Sequence, residues 1–141
     1  MAPTSKVLYA SEPALDVAEF RGVLVESGLG KVRPVDDGAR LRTMLDNANL
    51  VLTARLDRPD RQLVGVARGM TDFSWVCYIS DLAVSRAAQG LGVGKGLMDE
   101  ARRQLGPSVS ISLISMPDAV GFYERIGMTR MTDAFWFGRQ R

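Results

Sequence analysis

The stretch Tyr78-Ile-Ser-Asp-Leu-Ala-Val84, followed by Ser85-Arg-Ala-Ala-Gln89-Gly-Leu-Gly-Val-Gly-Lys-Gly96, decides how this chain is read. Its first part continues an apolar run from Trp75 and predicts a long central strand. Beyond it, Val93, Leu97, Met98, Ala101 and Leu105 fall on one helical face, with Asp99, Glu100, Arg102 and Arg103 opposite, and Gly106 and Pro107 end the helix. Glycines 90, 92, 94 and 96 stand between strand and helix. Such a loop can be a tight connection and nothing more. It can also turn its backbone N–H groups into one concavity, at a helix N-terminus whose dipole favours negative charge, and so hold a phosphate or pyrophosphate.

Spacing tells which phosphate site this is. A P-loop needs Gly, four residues, Gly-Lys and a hydroxyl residue, but Gly94-Lys95 is followed by Gly96, and position 89 is Gln. A dinucleotide fingerprint, G-x-G-x-x-G, meets Lys95, Leu97 or Asp99 where its third glycine belongs, in the three possible registers. Both readings fail.

Outward from this segment the elements alternate. Lys6 to Tyr9 suits a short strand, and Ser11 with Pro13 suits a helix start, with Val17, Phe20 and Leu24 on its inner face and Gly28 and Gly30 at its end. A second helix is expected from about Asp37 to Asn47. Leu50 to Leu56 and Gln62 to Met70 read as a hairpin around Asp57, Arg58, Pro59 and Asp60. After the glycine loop and its helix, Ser108 to Ser115 alternates serine with Val109, Ile111 and Leu113 as a strand would. Ala119, Phe122, Tyr123 and Ile126 have helical spacing before Gly127, and Phe135 to Phe137 suits a last strand. The fold class expected is α/β, an α+β mixed sheet covered by helices.

Composition narrows the chemistry. With 141 residues, 46% of them hydrophobic, the chain is expected to form one domain, residues 1–141, with its own core. It has no histidine and one cysteine, Cys77, which excludes Ser-His-Asp and Cys-His triads, histidine zinc sites, Cys-x-x-C pairs and intramolecular disulfides. A formal charge of +2 with dispersed basic residues predicts no nucleic-acid partner. The MAPTSK start carries no apolar core of a leader, and no apolar window is long enough for a membrane span, so a soluble, cytoplasmic protein is expected.

What the spacing does match is Q/R-x-x-G-x-G/A, as Gln89-Gly90-Leu91-Gly92-Val93-Gly94, placed after a strand ending Leu82-Ala83-Val84 and before Gly121-Phe-Tyr-Glu-Arg-Ile-Gly127. In these segments the chain resembles the GNAT acetyltransferase superfamily, closely over about residues 75–128 and in element order over nearly its whole length. The resemblance implies a GNAT-like acyl-CoA N-acyltransferase fold with acetyl-CoA as cosubstrate and no metal. It implies that the backbone of Leu82, Ala83 and Val84 pairs with the pantetheine arm. By it, the N–H groups from Gln89 through Gly90, Leu91, Gly92, Val93 and Gly94 to Lys95 hold the pyrophosphate. It makes Tyr123 the general acid for the departing thiolate, a role a phenol with a reference pKa of about 10 can fill. The reaction implied is direct transfer of acetyl, in a ternary complex, to a primary amine; Asn49-Leu-Val-Leu-Thr-Ala54, Leu63-Val-Gly-Val-Ala-Arg68 and Asp81-Leu-Ala-Val84 are similar to small arylalkylamine acetyltransferase relatives, which implies a small molecule, and the N-terminal helices and hairpin hold no strong acidic cluster that would demand a polycationic one. The alternatives are a protein N-terminal or lysine acetyltransferase, and a catalytically weak CoA-binding module.

The chain departs from that pattern in two places. Met116 stands where many members carry Asn, and Tyr78 and Ser80 stand where members carry bases. Asp81 is the nearest carboxylate, but strand parity puts it on the face opposite Tyr78, Ser80, Leu82 and Val84 unless a bulge re-aims it. The base is thus Asp81, water on Ser80, or bulk solvent, and Asp81's competing role is to tie down a loop. Asp72, Phe73, Trp75 and Trp136 suit an aromatic acceptor wall, Cys77 suits an inert buried thiol, and the apolar terminal strand suits a homodimer edge.

Overall fold

The computed structural model describes residues 6–141, so most of the MAPTSK start lies outside the described residues. One sheet of five strands runs in the order β1 (Val7–Ser11), β2 (Leu50–Leu56), β3 (Leu63–Thr71), β4 (Val76–Val84) and β5 (Ser110–Leu113). The first four are antiparallel neighbours, and β5 lies parallel to β4 because the crossover helix α3 (Val93–Leu105) returns the chain to the same end. Helices α1 (Val17–Ser27) and α2 (Gly38–Asp46) cover the other face, and α4 (Val120–Arg125) follows β5.

Alternation along the strands sorts the core into two layers. Leu50, Leu52, Ala54 and Leu56 of β2 pack with Val93, Leu97 and Ala101 of α3, whereas Val51 joins Phe20, Leu24, Leu41 and Leu45 of α1 and α2. β2 is therefore apolar almost throughout, being buried on both sides. Close approach of α3 depends on a missing side chain: a Cβ at Gly65 of β3 would meet Val93 Cγ1 at 2.7 Å.

The ends of the helices follow their caps. β1 continues through Ser11, and α1 begins later than Ser11 and Pro13 suggest, because the Asp16 carboxylate accepts from the Glu19 N–H at 3.1 Å. Asp37 does the same for α2 through the Arg40 N–H, and Gly28 ends α1 in the left-handed region at φ 89°. No strand forms at Phe135–Phe137: residues 128–141 contain neither helix nor strand, and β5 has no partner on its outer edge among the described residues.

The β1–α1 connection is tied to the sheet by charge. Arg55 on β2 donates to both oxygens of Glu12, at 2.8 and 2.9 Å, and to Glu19 on α1 at 2.7 Å, while the buried Thr53 hydroxyl also donates to Glu12. The Arg55 hydrogen bond holds the Glu12 carboxyl below its usual range. A group lowered in this way stabilises the fold above its unfolded pKa, and that contribution is lost as pH falls through the folded value. Glu12→Gln is therefore expected to cost about 1 kcal/mol at pH 7, these side chains being partly exposed. In urea titrations repeated at decreasing pH, the difference from the parent protein should shrink below about pH 4.5.

Candidate active site

The site is built where β4 breaks its register. Arg68 of β3 faces Asp81, but the next pair is Gly69 with Ile79, so Ser80 is an extra residue in β4. Gly69 allows the close approach, since a Cβ there would lie 2.9 Å from the Tyr78 carbonyl oxygen. The bulge reverses the parity expected from the sequence: Cys77 and Ile79 face α3 together with Leu82 and Val84, whereas Ala83 packs with α1 and α2.

Two arginines hold this bulge. Asp81 is fully buried, with Oδ1 accepting from Arg33 Nε at 2.5 Å and Oδ2 from Arg68 Nε. Arg33 also donates to the Ser80 carbonyl at 2.8 Å, and Arg68 to Ser80 Oγ at 2.9 Å and to the Met44 carbonyl at 3.3 Å. Both carboxylate oxygens of Asp81 are thus taken by guanidinium groups, which fits its structural reading. Arg33 and Arg68 were not legible as site residues, although an arginine inside the apolar run of β3, facing an aspartate one strand away, is a signal that can be read.

Past the bulge the sheet opens. β5 pairs with β4 only through Val76–Ile79, so Asp81 to Val84 have a strand partner on the β3 side alone. The Ser85 N–H donates to the Val64 carbonyl at 2.8 Å, and by alternation Leu82 and Val84 turn their N–H and C=O groups to the opened side. The Gln89 side-chain amide reaches back to the Val84 carbonyl at 3.4 Å, joining this edge to the glycine loop.

The loop ends at the start of α3. Gly90 and Gly92 adopt φ of 89° and 74°, with nothing near where a Cβ would point, and Gly92 is the N-cap. No side chain caps this end, and no acidic residue lies in its first turn. The N–H groups of Val93, Gly94 and Lys95 therefore lack intrahelical acceptors and add to the positive end of the helix dipole. Lys95 adds a cationic head, paired with Asp99 at 2.7 Å.

α4 closes the arrangement. A Cβ at Gly94 would meet the Phe122 ring at 3.0 Å, so α4 rests on the first turn of α3. Tyr123 stands beside Phe122 with ring centroids 5.0 Å apart, edge to face. Tyr123 is half-buried, and burial raises its phenol above the usual value of 10.0. Its hydroxyl has no hydrogen-bond partner among the described residues.

Other candidates have different surroundings. Asp72 Oδ1 accepts from the N–H groups of Trp75, Ser74 and Val76, which hold its carboxyl below the usual range and make it the anchor of the β3–β4 turn. Trp75 and Trp136 are both exposed. Cys77 is buried, and burial pushes its thiol up. Among the described residues, no three His, Cys, Asp or Glu side chains gather as metal ligands.

Comparison with known proteins adds to this geometry. Residues 32–137 match the family of the acetyltransferase (GNAT) domain. Serotonin N-acetyltransferase 2, chloroplastic, of Oryza sativa subsp. japonica is 30% identical over 131 residues, which are 88% of this chain and 62% of that protein. This chain spans between 48% and 62% of the length of five curated relatives that it matches. Among solved structures, a candidate acetyltransferase from Deinococcus radiodurans R1 superposes with a TM-score of 0.75 at 26% identity, covering 99% of this chain and 94% of that one. The fold is shared with the YhbS GNAT family N-acetyltransferase of Escherichia coli in complex with CoA, at a TM-score of 0.68 and 19% identity over 90% of this chain and 71% of that one.

Removing the charge of Asp81 while keeping its shape leaves the buried Arg68 and the partly buried Arg33 without their shared counter-charge. Asp81→Asn is expected to cost about 3–5 kcal/mol, the usual cost of breaking a buried pair from one side. Urea unfolding measures it, and a loss below about 1 kcal/mol would mean that the arginines do not depend on this carboxylate.

Proposed function

Since the chain belongs to the GNAT acetyltransferase family, we propose that it transfers an acetyl group from acetyl-CoA to a primary amine on a small molecule. The observation that carries this reading is the continuity of the opened β4 edge with the uncapped start of α3. A strand edge whose Leu82 N–H and C=O and Val84 N–H have no strand partner suits an amide-bearing arm, and the turn from Gln89 to Lys95 suits a pyrophosphate. Acetyl-CoA supplies an activated acetyl thioester there. The chain's own residues supply the rest: Leu82 or Val84 offers an N–H to the oxygen on which charge develops. Tyr123 keeps a proton at its hydroxyl oxygen for the departing sulfur. The raised pKa keeps that proton in place at neutral pH, and the contribution is lost only as pH rises through a value above 10.0.

With Asp81 held by Arg33 and Arg68, the amine gives up its proton to water beside Ser80 or arrives neutral from solvent. Attack on the thioester carbon forms the amide bond as the carbon–sulfur bond breaks, in one ternary complex, with no enzyme-bound acyl group. The small-amine acceptor draws support from the rice relative, whose name gives serotonin as its substrate.

Thermal unfolding with acetyl-CoA, CoA, ATP and NAD is the first test. Acetyl-CoA and CoA at about 100 times their dissociation constants should each add roughly 2.7 kcal/mol, a shift of several degrees, and ATP and NAD none. No shift with acetyl-CoA would overturn the reading. Tyr123→Phe should then lower turnover roughly 100-fold while leaving the acetyl-CoA shift in place, and equal turnover would remove Tyr123 from the reaction. A panel of arylalkylamines, polyamines and peptides should show turnover of the small amines; acetylation of peptides alone would move the assignment to a protein acetyltransferase.

A further inference from the structure

Within β4, Ser80 is the residue with no strand partner on either side: β3 passes it between Asp81 and Ile79, and β5 stops at Ile79. Its polar groups are held by arginines instead. The carbonyl accepts from Arg33 at 2.8 Å, and the hydroxyl oxygen accepts from Arg68 at 2.9 Å. The hydroxyl keeps its own proton, and among the described residues no group accepts it. Ser80 is half-buried and stands where the sheet begins to open.

Two features suit this proton to an oxygen that is gaining negative charge. The charged groups bonded to Ser80 and to its partners are Arg33, Arg68 and Asp81, two cations against one anion. A hydroxyl that accepts from a cation is polarised and donates its own proton more strongly. The second feature is position. Leu82, whose N–H no strand takes, lies two residues further along β4, roughly 6–7 Å away between α-carbons. That is comparable with the span of two donors to one shared oxygen, each about 2.9 Å from it. The same polarity makes Ser80 a poor support for a base, because a water that accepts from its O–H takes up a proton less readily and the net positive charge opposes an ammonium.

We propose that Ser80 is a catalytic residue whose hydroxyl donates, alongside the Leu82 N–H, to the acetyl oxygen as it becomes an oxyanion. The inference rests on the reading of this chain as an acetyltransferase. As the neutral amine nitrogen bonds to the thioester carbon, the carbonyl π pair moves onto oxygen, where both donors meet it. When that pair returns, the carbon–sulfur bond breaks, and sulfur leaves with its bonding electrons and takes the Tyr123 proton. The proton shed by nitrogen passes to solvent, from which Tyr123 is reprotonated. Of the two routes for the acceptor's proton, arrival of a neutral amine is the one this arrangement serves.

Steady-state kinetics of Ser80→Ala with acetyl-CoA and phenethylamine, over a range of pH, tests it. The expected result is a kcat lowered roughly 100-fold. The KM for acetyl-CoA, the thermal shift with acetyl-CoA and the pH at which kcat/KM rises should all match the parent protein. Ser80→Thr, which keeps a hydroxyl, should recover most of the rate. A parental kcat in Ser80→Ala would overturn the proposal. So would a rise in kcat/KM displaced to higher pH, since the hydroxyl would then serve the proton on nitrogen, and so would a lost acetyl-CoA shift, since Ser80 would then act in binding. A parent protein with no acetyl-CoA shift overturns the acetyltransferase reading and this inference together, whereas a parent that shifts and turns over leaves the Ser80 variants to decide this inference alone.

Discussion

A single buried carboxylate sets the geometry of this sheet. Asp81 has no contact with solvent, and an isolated carboxylate in such a place would lose several kcal/mol of hydration. The folded chain tolerates it because Arg33 and Arg68 approach from different elements, one after α1 and one within β3, and occupy one oxygen each. Both guanidinium groups then reach Ser80, one at its carbonyl and one at its hydroxyl. The charge cluster therefore anchors the extra residue of β4 where the strand must kink, and links the α1–α2 layer to the sheet at the same point.

The consequences run along β4 in both directions. Below the bulge, Cys77 and Ile79 face α3 and pair in parallel with β5; above it, Leu82 and Val84 face α3 with no β5 partner. A regular strand would have sent these two sets to opposite faces. The bulge lets one strand serve as part of the core and, a few residues later, as an edge whose outward backbone groups no neighbouring strand takes. Glycines then bring the remaining pieces to that edge: Gly65 admits Val93, and Gly94 admits Phe122. Three close approaches, at positions 65, 69 and 94, gather the opened strand, the glycine loop and α4 around the first turn of α3.

Much of this was legible in the residues because it is local. The amphipathic period of α3, the left-handed glycines before it and the apolar runs of β2, β3 and β4 follow from side-chain spacing and backbone sterics, and the structure has them within a few residues of expectation. The beginning of α1 was misplaced because Ser11 and Pro13 have the character of a helix start, while the hydrogen bond that nucleates the helix comes from Asp16. The strand expected at Phe135–Phe137 has the right composition, but a strand needs a neighbour, and composition does not name one. The faces of β4 were inverted on one side of Ser80, since a bulge depends on the opposing strand, and Arg68 and Gly69 were read with β3 alone.

Sequence by itself determined the mixed sheet, the glycine-rich loop at the head of a helix and the likeness to the GNAT acetyltransferases, because each rests on the order and spacing of neighbouring residues. Tertiary structure alone decided that Asp81 is clamped between two arginines, that the sheet opens beyond Ile79, and that the aromatic terminus stands apart from the core. The physical reason is the range of the interactions. Periodicity, capping and glycine conformations act within a few residues, whereas the Arg33–Asp81 pair, the 48-residue separation it spans and the register slip it secures exist only once distant strands have met.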